Sequence, residues 1–245
     1  MSRIILIETS TAMCSVALAE DGAIVCSRES SEPRMQSSLT AVFVDEVLRE
    51  RGLKVKDCDA VCVSRGPGSY TGLRVGVSTA KGLCFGAGIP LLSVGTLDTL
   101  AWQALTSGVV PEDCRTIVPM IDARRMEVYC ARFAVEDGGH GGDGSTYAGL
   151  RPVMSGEVAP VIVDGDTFAE DLERGTVLFI GDAADKCAAV ISHPNARFVQ
   201  CCPTASAMLR PASDALEAGR FEDTAYFEPF YLKDFIATVP RKKLF

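Results

Sequence analysis

The fold is decided by the segment Ile4-Ile5-Leu6-Ile7-Glu8-Thr9-Ser10-Thr11, which leads directly into Cys14-Ser15-Val16-Ala17-Leu18. The four apolar residues at its start predict a buried strand, and the polar run from Glu8 predicts a turn. The second apolar run predicts a strand that returns beside the first. Asp21-Gly22 then signals a hairpin turn into a third strand over residues 23–26. The N-terminal region is therefore expected to form a three-stranded meander.

Helices and strands alternate after this meander. Amphipathic or apolar helical patterns predict helices over residues 37–51, 73–86 and 96–106, and short apolar runs predict strands over 59–64 and 89–94. Strands that alternate with helices usually pair in parallel, whereas the strands of a meander pair antiparallel. We therefore predict an α/β protein with a mixed sheet.

The strand–turn–strand pattern returns in the second half of the chain. The polar, proline-containing stretch 109–113 predicts a boundary, and residues 116–121 then predict another strand. Asp122-Ala123-Arg124-Arg125 predicts a polar turn, after which a further apolar run begins. Glu8 and Asp122 thus hold corresponding positions, each at the end of a strand. We predict two related subdomains, which comprise residues 1–112 and residues 113–245.

Composition and charge exclude several classes of protein. The chain has 245 residues, and 24 lysines and arginines against 32 aspartates and glutamates give a net charge of −8. An acidic chain is poorly suited to bind a nucleic-acid backbone alone, because that affinity comes from Lys and Arg. No stretch approaches the ~18 apolar residues that a membrane span requires, and the N-terminus does not resemble a signal peptide. We expect no membrane association.

The ten cysteines are scattered and include no C-x-x-C pair, which argues against a zinc ribbon or a disulfide scaffold. Cysteines that serve as small buried apolar residues are typical of the reducing cytosol, so the sequence indicates a cytoplasmic protein. The two histidines, His140 and His193, have no neighbours at metal-binding spacing. No metal site is therefore predicted.

Gly66-Pro67-Gly68-Ser69-Tyr70-Thr71-Gly72-Leu73-Arg74 is the most distinctive segment of the chain. It lies between a predicted strand and a predicted helix, where backbone N–H groups and the helix dipole favour an anion. It lacks the Gly-Lys-Ser/Thr of a Walker A loop, and its glycine spacing misses the dinucleotide fingerprint. The other explanation is that the glycines permit positive φ and close packing in a tight turn, which we favour.

Two predicted helices have more apolar surface than one core requires. Helix 73–86 is apolar or small around most of its circumference, and helix 37–51 has a second apolar arc beside its core stripe. Either a neighbouring loop covers this surface, or it is a protein–protein face. The residues predicted for such a face are Met35, Leu39, Val42, Arg74, Val77, Ser78, Lys81 and Phe85. A glutamate at Val77 is accordingly expected to weaken association.

Few residues are candidates for catalysis or for contact with a ligand. Glu8 and Asp122 each follow a strand at a turn, where acids in an ATPase orient Mg²⁺ or water. Glu8, Thr9 and Asp122 are therefore candidates for contact with a nucleotide or a phosphate. Acids that simply cap a turn are far commoner. No G-x-S-x-G motif occurs, and we assign no catalytic residue.

Four segments together carry a family resemblance. They are Ile7-Glu8-Thr9-Ser10-Thr11, the glycine-containing stretch 66–76, Ile121-Asp122-Ala123-Arg124-Arg125-Met126-Glu127-Val128-Tyr129, and Pro229-Phe230-Tyr231-Leu232-Lys233. These segments resemble the TsaB family, also called YeaZ. Because they are spread along the sequence, the resemblance spans nearly the whole chain. The resemblance implies an actin/Hsp70/sugar-kinase-like fold of two related α/β halves. Such a fold accounts for the pattern that returns at Thr116.

The resemblance also implies a role in making threonylcarbamoyladenosine, the modified nucleoside 3′ of the anticodon in tRNAs that read codons beginning with A. In that pathway the paralogue TsaD transfers the threonylcarbamoyl group, and TsaB is its required partner, joined by the ATPase TsaE. Members of the family pair through their first two helices, with themselves when alone and with TsaD in the complex. The resemblance therefore favours the protein–protein face. It leaves open whether ATP or ADP binds at the interface.

The same resemblance bears on catalysis and on tRNA contact. TsaD proteins hold a metal through an H-x-x-x-H pair on the first helix, but Met35-Gln36-Ser37-Ser38-Leu39 has histidine at neither position. Glu8 stands where relatives often have Asp. We therefore expect a non-catalytic partner of TsaD that has no cofactor of its own. Contact with tRNA is expected mainly through TsaD, and the terminal Arg241-Lys242-Lys243 cluster is expected to add little.

A second hypothesis belongs to another class. The chain could be a free-standing ATPase or small-molecule kinase of the same fold. It would use Glu8, Thr9, Asp122 and the Gly181-Asp182 turn around a nucleotide.

Overall fold

Two mixed sheets organise the computed structural model, which describes residues 2–138 and 149–233. The first half contains β1 (Arg3–Glu8), β2 (Cys14–Glu20), β3 (Ala23–Ser30), α1 (Gln36–Glu50), β4 (Ala60–Gly66), α2 (Tyr70–Ala87), β5 (Leu91–Gly95) and α3 (Thr96–Thr106). Its sheet has the order β3-β2-β1-β4-β5. Because β1 pairs antiparallel with β2 and parallel with β4, the sheet is mixed, as predicted.

The second half repeats this arrangement. It contains β6 (Cys114–Asp122), β7 (Glu127–Cys130), β8 (Phe133–Asp137), β9 (Leu150–Met154), β10 (Ala159–Ile162), α4 (Ala169–Arg174), β11 (Thr176–Gly181), α5 (Ala184–Ala188), β12 (Ala196–Gln200) and α6 (Leu209–Glu217). Strand β6 pairs antiparallel with β7 and parallel with β11, as β1 does with β2 and β4. Glu8 and Asp122 end the two equivalent strands. The predicted α/β fold of two related halves is therefore confirmed.

Two helices pack against the sheet of the other half of the chain. Helices α1 and α2 pack on one face of the first sheet, and α6 packs on its other face, through Ala212 and Ala215. Helix α3 instead packs against β6 and β11 of the second half. The predicted division at residue 112 thus separates the two sheets but not all the helices that cover them. The chain returns to its first half at the end, and this return shapes the cleft described below.

Two helices differ from their predicted bounds for identifiable reasons. Helix α2 begins three residues earlier than predicted, because the Ser69 side chain caps it by accepting a hydrogen bond from the Gly72 N–H at 3.3 Å. The helical pattern over residues 203–220 contains Pro211, which predicts a break there, but α6 continues through that residue. Proline is tolerated in the first turn of a helix, where its missing N–H has no helical partner. Among the described residues, no helix is long and apolar enough to cross a membrane.

All ten cysteines are free thiols, and seven of them are buried. Burial raises the pKa of the thiol group, for example to about 11 at Cys58 and Cys84. A buried thiol with a raised pKa is a small apolar side chain rather than a nucleophile. The interpretation of the cysteines as packing residues is therefore confirmed.

Candidate functional site

A cleft of about 880 Å³ lies between the two halves. Its walls come from the β1–β2 turn, the start of α1, the glycine loop before α2, the β6–β7 turn, and the C-terminal segment up to Lys233. The glycine loop and the candidate acid Asp122 thus face the same space. Glu8 and Thr9 do not line the cleft, because they lie beneath its floor.

The glycine loop packs tightly on the β1–β2 turn. A Cβ atom added to Gly68 would lie 2.3 Å from the Ser10 carbonyl oxygen, and one added to Gly72 would lie 2.1 Å from the Thr9 carbonyl oxygen. The Ser69 N–H donates to the Ser10 carbonyl oxygen at 2.6 Å. The glycines are therefore needed for close approach, and at least one N–H group of the loop is already bonded within the protein. These contacts support close packing rather than a phosphate cradle.

The floor of the cleft is made of buried polar side chains. The Glu8 carboxylate is fully buried and accepts a hydrogen bond from the Ser10 N–H at 2.6 Å, and Thr9 Oγ1 donates to the Gly72 carbonyl oxygen at 2.8 Å. No described residue gives a hydrogen-bond partner to Glu8 Oε2, Ser10 Oγ or Thr11 Oγ1. Burial raises the pKa of Glu8 to about 7, although the hydrogen bond from the Ser10 N–H opposes this shift.

Two acids form the wall on the side of the second half. The Asp122 N–H donates to Asp182 Oδ1 at 2.8 Å, and the Arg124 N–H donates to Asp122 Oδ1 at 2.9 Å. Lys186 forms an ion pair with Asp122. Burial raises the pKa of Asp182 to about 6. Asp122 is therefore a turn-capping acid whose charge is balanced by Lys186, and this role fits the commoner of the two sequence interpretations.

The C-terminal segment from residue 225 to 233, here called the strap, runs along α2. Lys81 Nζ donates to the carbonyl oxygens of Ala225 and Phe227, each at 3.0 Å. The Phe230 N–H donates to the Arg65 carbonyl oxygen at 2.7 Å, at the end of β4. The strap is therefore fixed to the first half by backbone contacts. These contacts could not be predicted from local sequence patterns, because they join residues more than 140 positions apart.

The end of the strap crosses to the second half. The Tyr231 ring packs on the Tyr70 ring with centroids 5.0 Å apart. The Arg74 guanidinium lies over the Tyr70 ring, 4.8 Å from its centroid. Lys233 forms an ion pair with Glu127 of β7. The strap thus bridges the two halves along one edge of the cleft. The sequence resemblance included Tyr231 and Lys233 as landmarks but assigned them no role.

The outward surfaces of α1 and α2 carry most of the residues predicted for a protein–protein face. Phe85 is 87% exposed and Val42 is 47% exposed, which is unusual for such large apolar side chains. Met35 and Leu39 are half-buried on α1. Arg74 and Ser78 are exposed on α2. In the part of the chain that the structure describes, no loop covers Phe85 or Val42.

Two of the predicted interface residues need correction. Val77 is only 4% exposed and packs in the core between α2 and the first sheet. A glutamate at Val77 would therefore report on folding and not on association. Lys81 uses its ammonium group to hold the strap. The helical wheel could not show that the first sheet covers Val77, or that the strap occupies the ammonium group of Lys81.

The buried carboxyl of Glu8 makes stability depend on pH. Its pKa is raised from 4.5 to about 7, so its contribution is fully present below pH 4.5 and is lost as the pH rises to about 7. We expect Glu8→Gln, which stays neutral, to be more stable than the wild type at pH 8 by about 3 kcal/mol. At pH 5 the two proteins should differ little.

Thermal melts between pH 5 and pH 8.5 would check this expectation. The informative window is pH 5 to 7, over which the contribution of Glu8 is lost, and Asp182, whose pKa is raised to about 6, is present in both proteins and cancels from their difference. Parallel melting curves for wild type and Glu8→Gln across that window would contradict the assignment of a neutral carboxyl to Glu8.

Comparisons with known proteins agree with this architecture. A model of the family described as TsaD, tRNA N6-adenosine threonylcarbamoyltransferase, matches residues 33–143. The chain is 30% identical over 244 residues to the tRNA threonylcarbamoyladenosine biosynthesis protein TsaB of Escherichia coli, covering 96% of each protein. It is 35% identical over 133 residues to TsaB of Haemophilus influenzae, covering 54% of each.

The solved structures give the same result. The structure of YeaZ from Pseudomonas aeruginosa superposes with a TM-score of 0.79 at 26% identity, covering 95% of this chain and 100% of that one. Sequence similarity over nearly the full length and a shared fold therefore agree with the four segments quoted above. The chain belongs to the TsaB family, also called YeaZ, of tRNA threonylcarbamoyladenosine biosynthesis proteins.

Proposed function

We propose that this chain is a non-catalytic partner subunit that binds and activates a TsaD-type threonylcarbamoyltransferase. The modified nucleoside would be the adenosine 3′ of the anticodon in tRNAs that read ANN codons. One observation carries the proposal, the exposed apolar surface of α1 and α2. Phe85 on α2 and Val42 on α1 are exposed apolar side chains on two helices that pack against each other, and exposed apolar side chains are what protein partners cover.

The acids around the cleft favour a supporting role over catalysis. Glu8 is sealed beneath the floor, and Asp122 is paired with Lys186. A catalytic acid in a nucleotide site has to reach the ligand or its metal ion. Glu8 has no access to the cleft, and Asp122, which does line it, is already engaged by Lys186. We propose that any ATP or ADP binds where this chain meets TsaD, and that the chain has no cofactor of its own.

We further propose the assembly in which this chain works. It pairs with itself when alone, exchanges that contact for TsaD, and is joined by a TsaE-type ATPase in the cytoplasm. The tRNA is held mainly by TsaD, since this chain has a net charge of −8.

Light scattering on a sizing column tests the proposal. The chain would be run alone and then mixed with the TsaD-type protein from the same genome. We expect a new 1:1 or larger species on mixing, with loss of any homodimer. A chain that elutes unchanged in the presence of TsaD would contradict the proposal.

The alternative, a free-standing ATPase or small-molecule kinase, has less support from the cleft. It predicts nucleotide hydrolysis by the isolated chain that Asp122→Ala abolishes. A calorimetric titration with ATP and Mg²⁺, followed by a phosphate-release assay, would distinguish it from the partner role.

A further inference from the structure

Exposed arginines stand on both sides of the cleft mouth. Arg34 comes from the β3–α1 loop and Arg124 from the β6–β7 turn, and both line the cleft from opposite halves. Arg125 is exposed beside Arg124 in the same turn. Within residues 2–138 and 149–233, no acidic side chain pairs with these three guanidinium groups. The three residues are here called the basic rim.

The backbone of the basic rim is unusual. Arg34, Arg124 and Arg125 have φ values of 65°, 70° and 51°, in the left-handed region that an L residue rarely adopts. Of the described non-glycine residues, only Asp21 also has a positive φ, and it lies in a hairpin turn. A side chain held on a costly backbone conformation is often one that a binding site requires. The conformation therefore singles out these arginines on an otherwise acidic protein.

Charges of the opposite sign line the same cleft. Asp122, which is exposed, and the more buried Asp182 stand beside Arg124 in the lining, and Lys186 forms an ion pair with Asp122 alone. A free nucleotide polyphosphate that entered the cleft would face these carboxylates, whereas a strand that crossed the mouth would meet the arginines first. The distribution of charge therefore favours a ligand whose phosphates are spaced along the mouth.

Aromatic rings line the same cleft as the basic rim. Tyr231 is 38% exposed and Phe230 is 43% exposed, and both line the cleft on the strap. The Tyr231 ring is supported from behind by Tyr70, with centroids 5.0 Å apart. A ring that is backed by another ring is a firm platform for a base. Exposed aromatic rings beside a cationic groove are the usual means of holding unpaired nucleotides.

We propose that the mouth of this cleft binds a single-stranded segment of RNA. The basic rim contacts successive phosphates, and a base stacks on Tyr231. The choice of RNA as the ligand rests on the proposed function, since the family acts in tRNA modification. This chain would thus contribute a local RNA contact to a complex in which TsaD supplies the rest.

Fluorescence anisotropy with a labelled single-stranded RNA of mixed sequence tests this site. The full chain would be titrated at about 50 mM and about 200 mM salt. We expect Arg124→Ser/Arg125→Ser to bind about tenfold more weakly, with the slope of log K against log salt reduced by roughly 1.4, because each single-strand phosphate contact accounts for about 0.7. Tyr231→Leu should also bind about tenfold more weakly, but with an unchanged slope.

A matched control separates the site from net charge. Arg115→Ser/Arg197→Ser removes the same charge from exposed arginines that do not line the cleft, and should bind RNA within twofold of wild type. If RNA binding is weakened equally in both double variants, the proposal is overturned. So would a wild-type chain that binds ATP in the cleft but not RNA.

The same variants keep this proposal separate from the partner role. Arg124 and Arg125 belong to the β6–β7 turn of the second half and not to α1 or α2, although Arg124 faces the start of both helices across the cleft. Arg124→Ser/Arg125→Ser should therefore pair with TsaD as the wild type does. Normal pairing without any RNA binding by the wild type would overturn the RNA site alone. RNA binding without pairing would overturn the partner role alone.

Discussion

Phe85→Glu is expected to weaken association with a TsaD-type partner at least about a hundredfold, and to abolish any homodimer at micromolar concentration. Phe85 is 87% exposed in the free chain, so the substitution disturbs no internal packing. In a complex the same position would be covered, and an unpaired carboxylate would then be buried. A central aromatic residue is also a common energetic hot spot of an interface, where its loss costs ~2 kcal/mol or more.

A control on the other side of the molecule makes this result interpretable. Ile162 on β10 is 74% exposed, and Ile162→Glu introduces the same charge away from the two helices. We expect it to pair like the wild type, and both variants to melt like the wild type. Sedimentation velocity on mixtures with TsaD gives the affinities. If Phe85→Glu and Ile162→Glu behave alike, the face of α1 and α2 is not the docking surface.

Much of the fold could be predicted because its signals are local. Continuous apolar runs such as Ile4-Ile5-Leu6-Ile7 predict buried strands, and the return of that pattern near Thr116 predicts a second half. Glu8 and Asp122 were placed at equivalent strand ends, and the sheet topology confirms this. Strands β8, β9 and β10 were not predicted, because they are short and lie near polar or glycine-containing sequence.

The candidate site was harder to predict, since its parts meet only in the folded chain. The periodicity of α2 identified excess apolar surface but could not show that Val77 faces the first sheet while Phe85 faces outward. The contacts between Lys81 and the strap join distant parts of the sequence. The signal that could have pointed to the basic rim is the turn sequence Asp122-Ala123-Arg124-Arg125, in which two consecutive arginines interrupt an acidic chain.

Gly72→Ala is expected to cost at least about 3 kcal/mol of folding free energy, and so to lower the melting temperature by roughly 6 to 12 °C. The added Cβ atom would lie 2.1 Å from the Thr9 carbonyl oxygen, which is backbone and cannot rotate away. Relief requires that α2 move off the β1–β2 turn, which would also break the hydrogen bond from Thr9 Oγ1 to the Gly72 carbonyl oxygen. The cost therefore combines overpacking with the loss of a buried hydrogen bond.

Gly82→Ala on the same helix is the matched control. A Cβ atom added to Gly82 would have no atom within 4 Å, and Gly82 lies in the interior of α2. Alanine is the better helix former by ~1 kcal/mol, so Gly82→Ala should raise the melting temperature by a few degrees. If the melting temperature falls for Gly72→Ala and rises for Gly82→Ala, then glycine at position 72 is required by its contact with the β1–β2 turn and not by helix propensity. A melting temperature for Gly72→Ala within about 2 °C of wild type would mean that the glycine loop does not pack on the β1–β2 turn as described, and that the loop is free to serve a ligand instead.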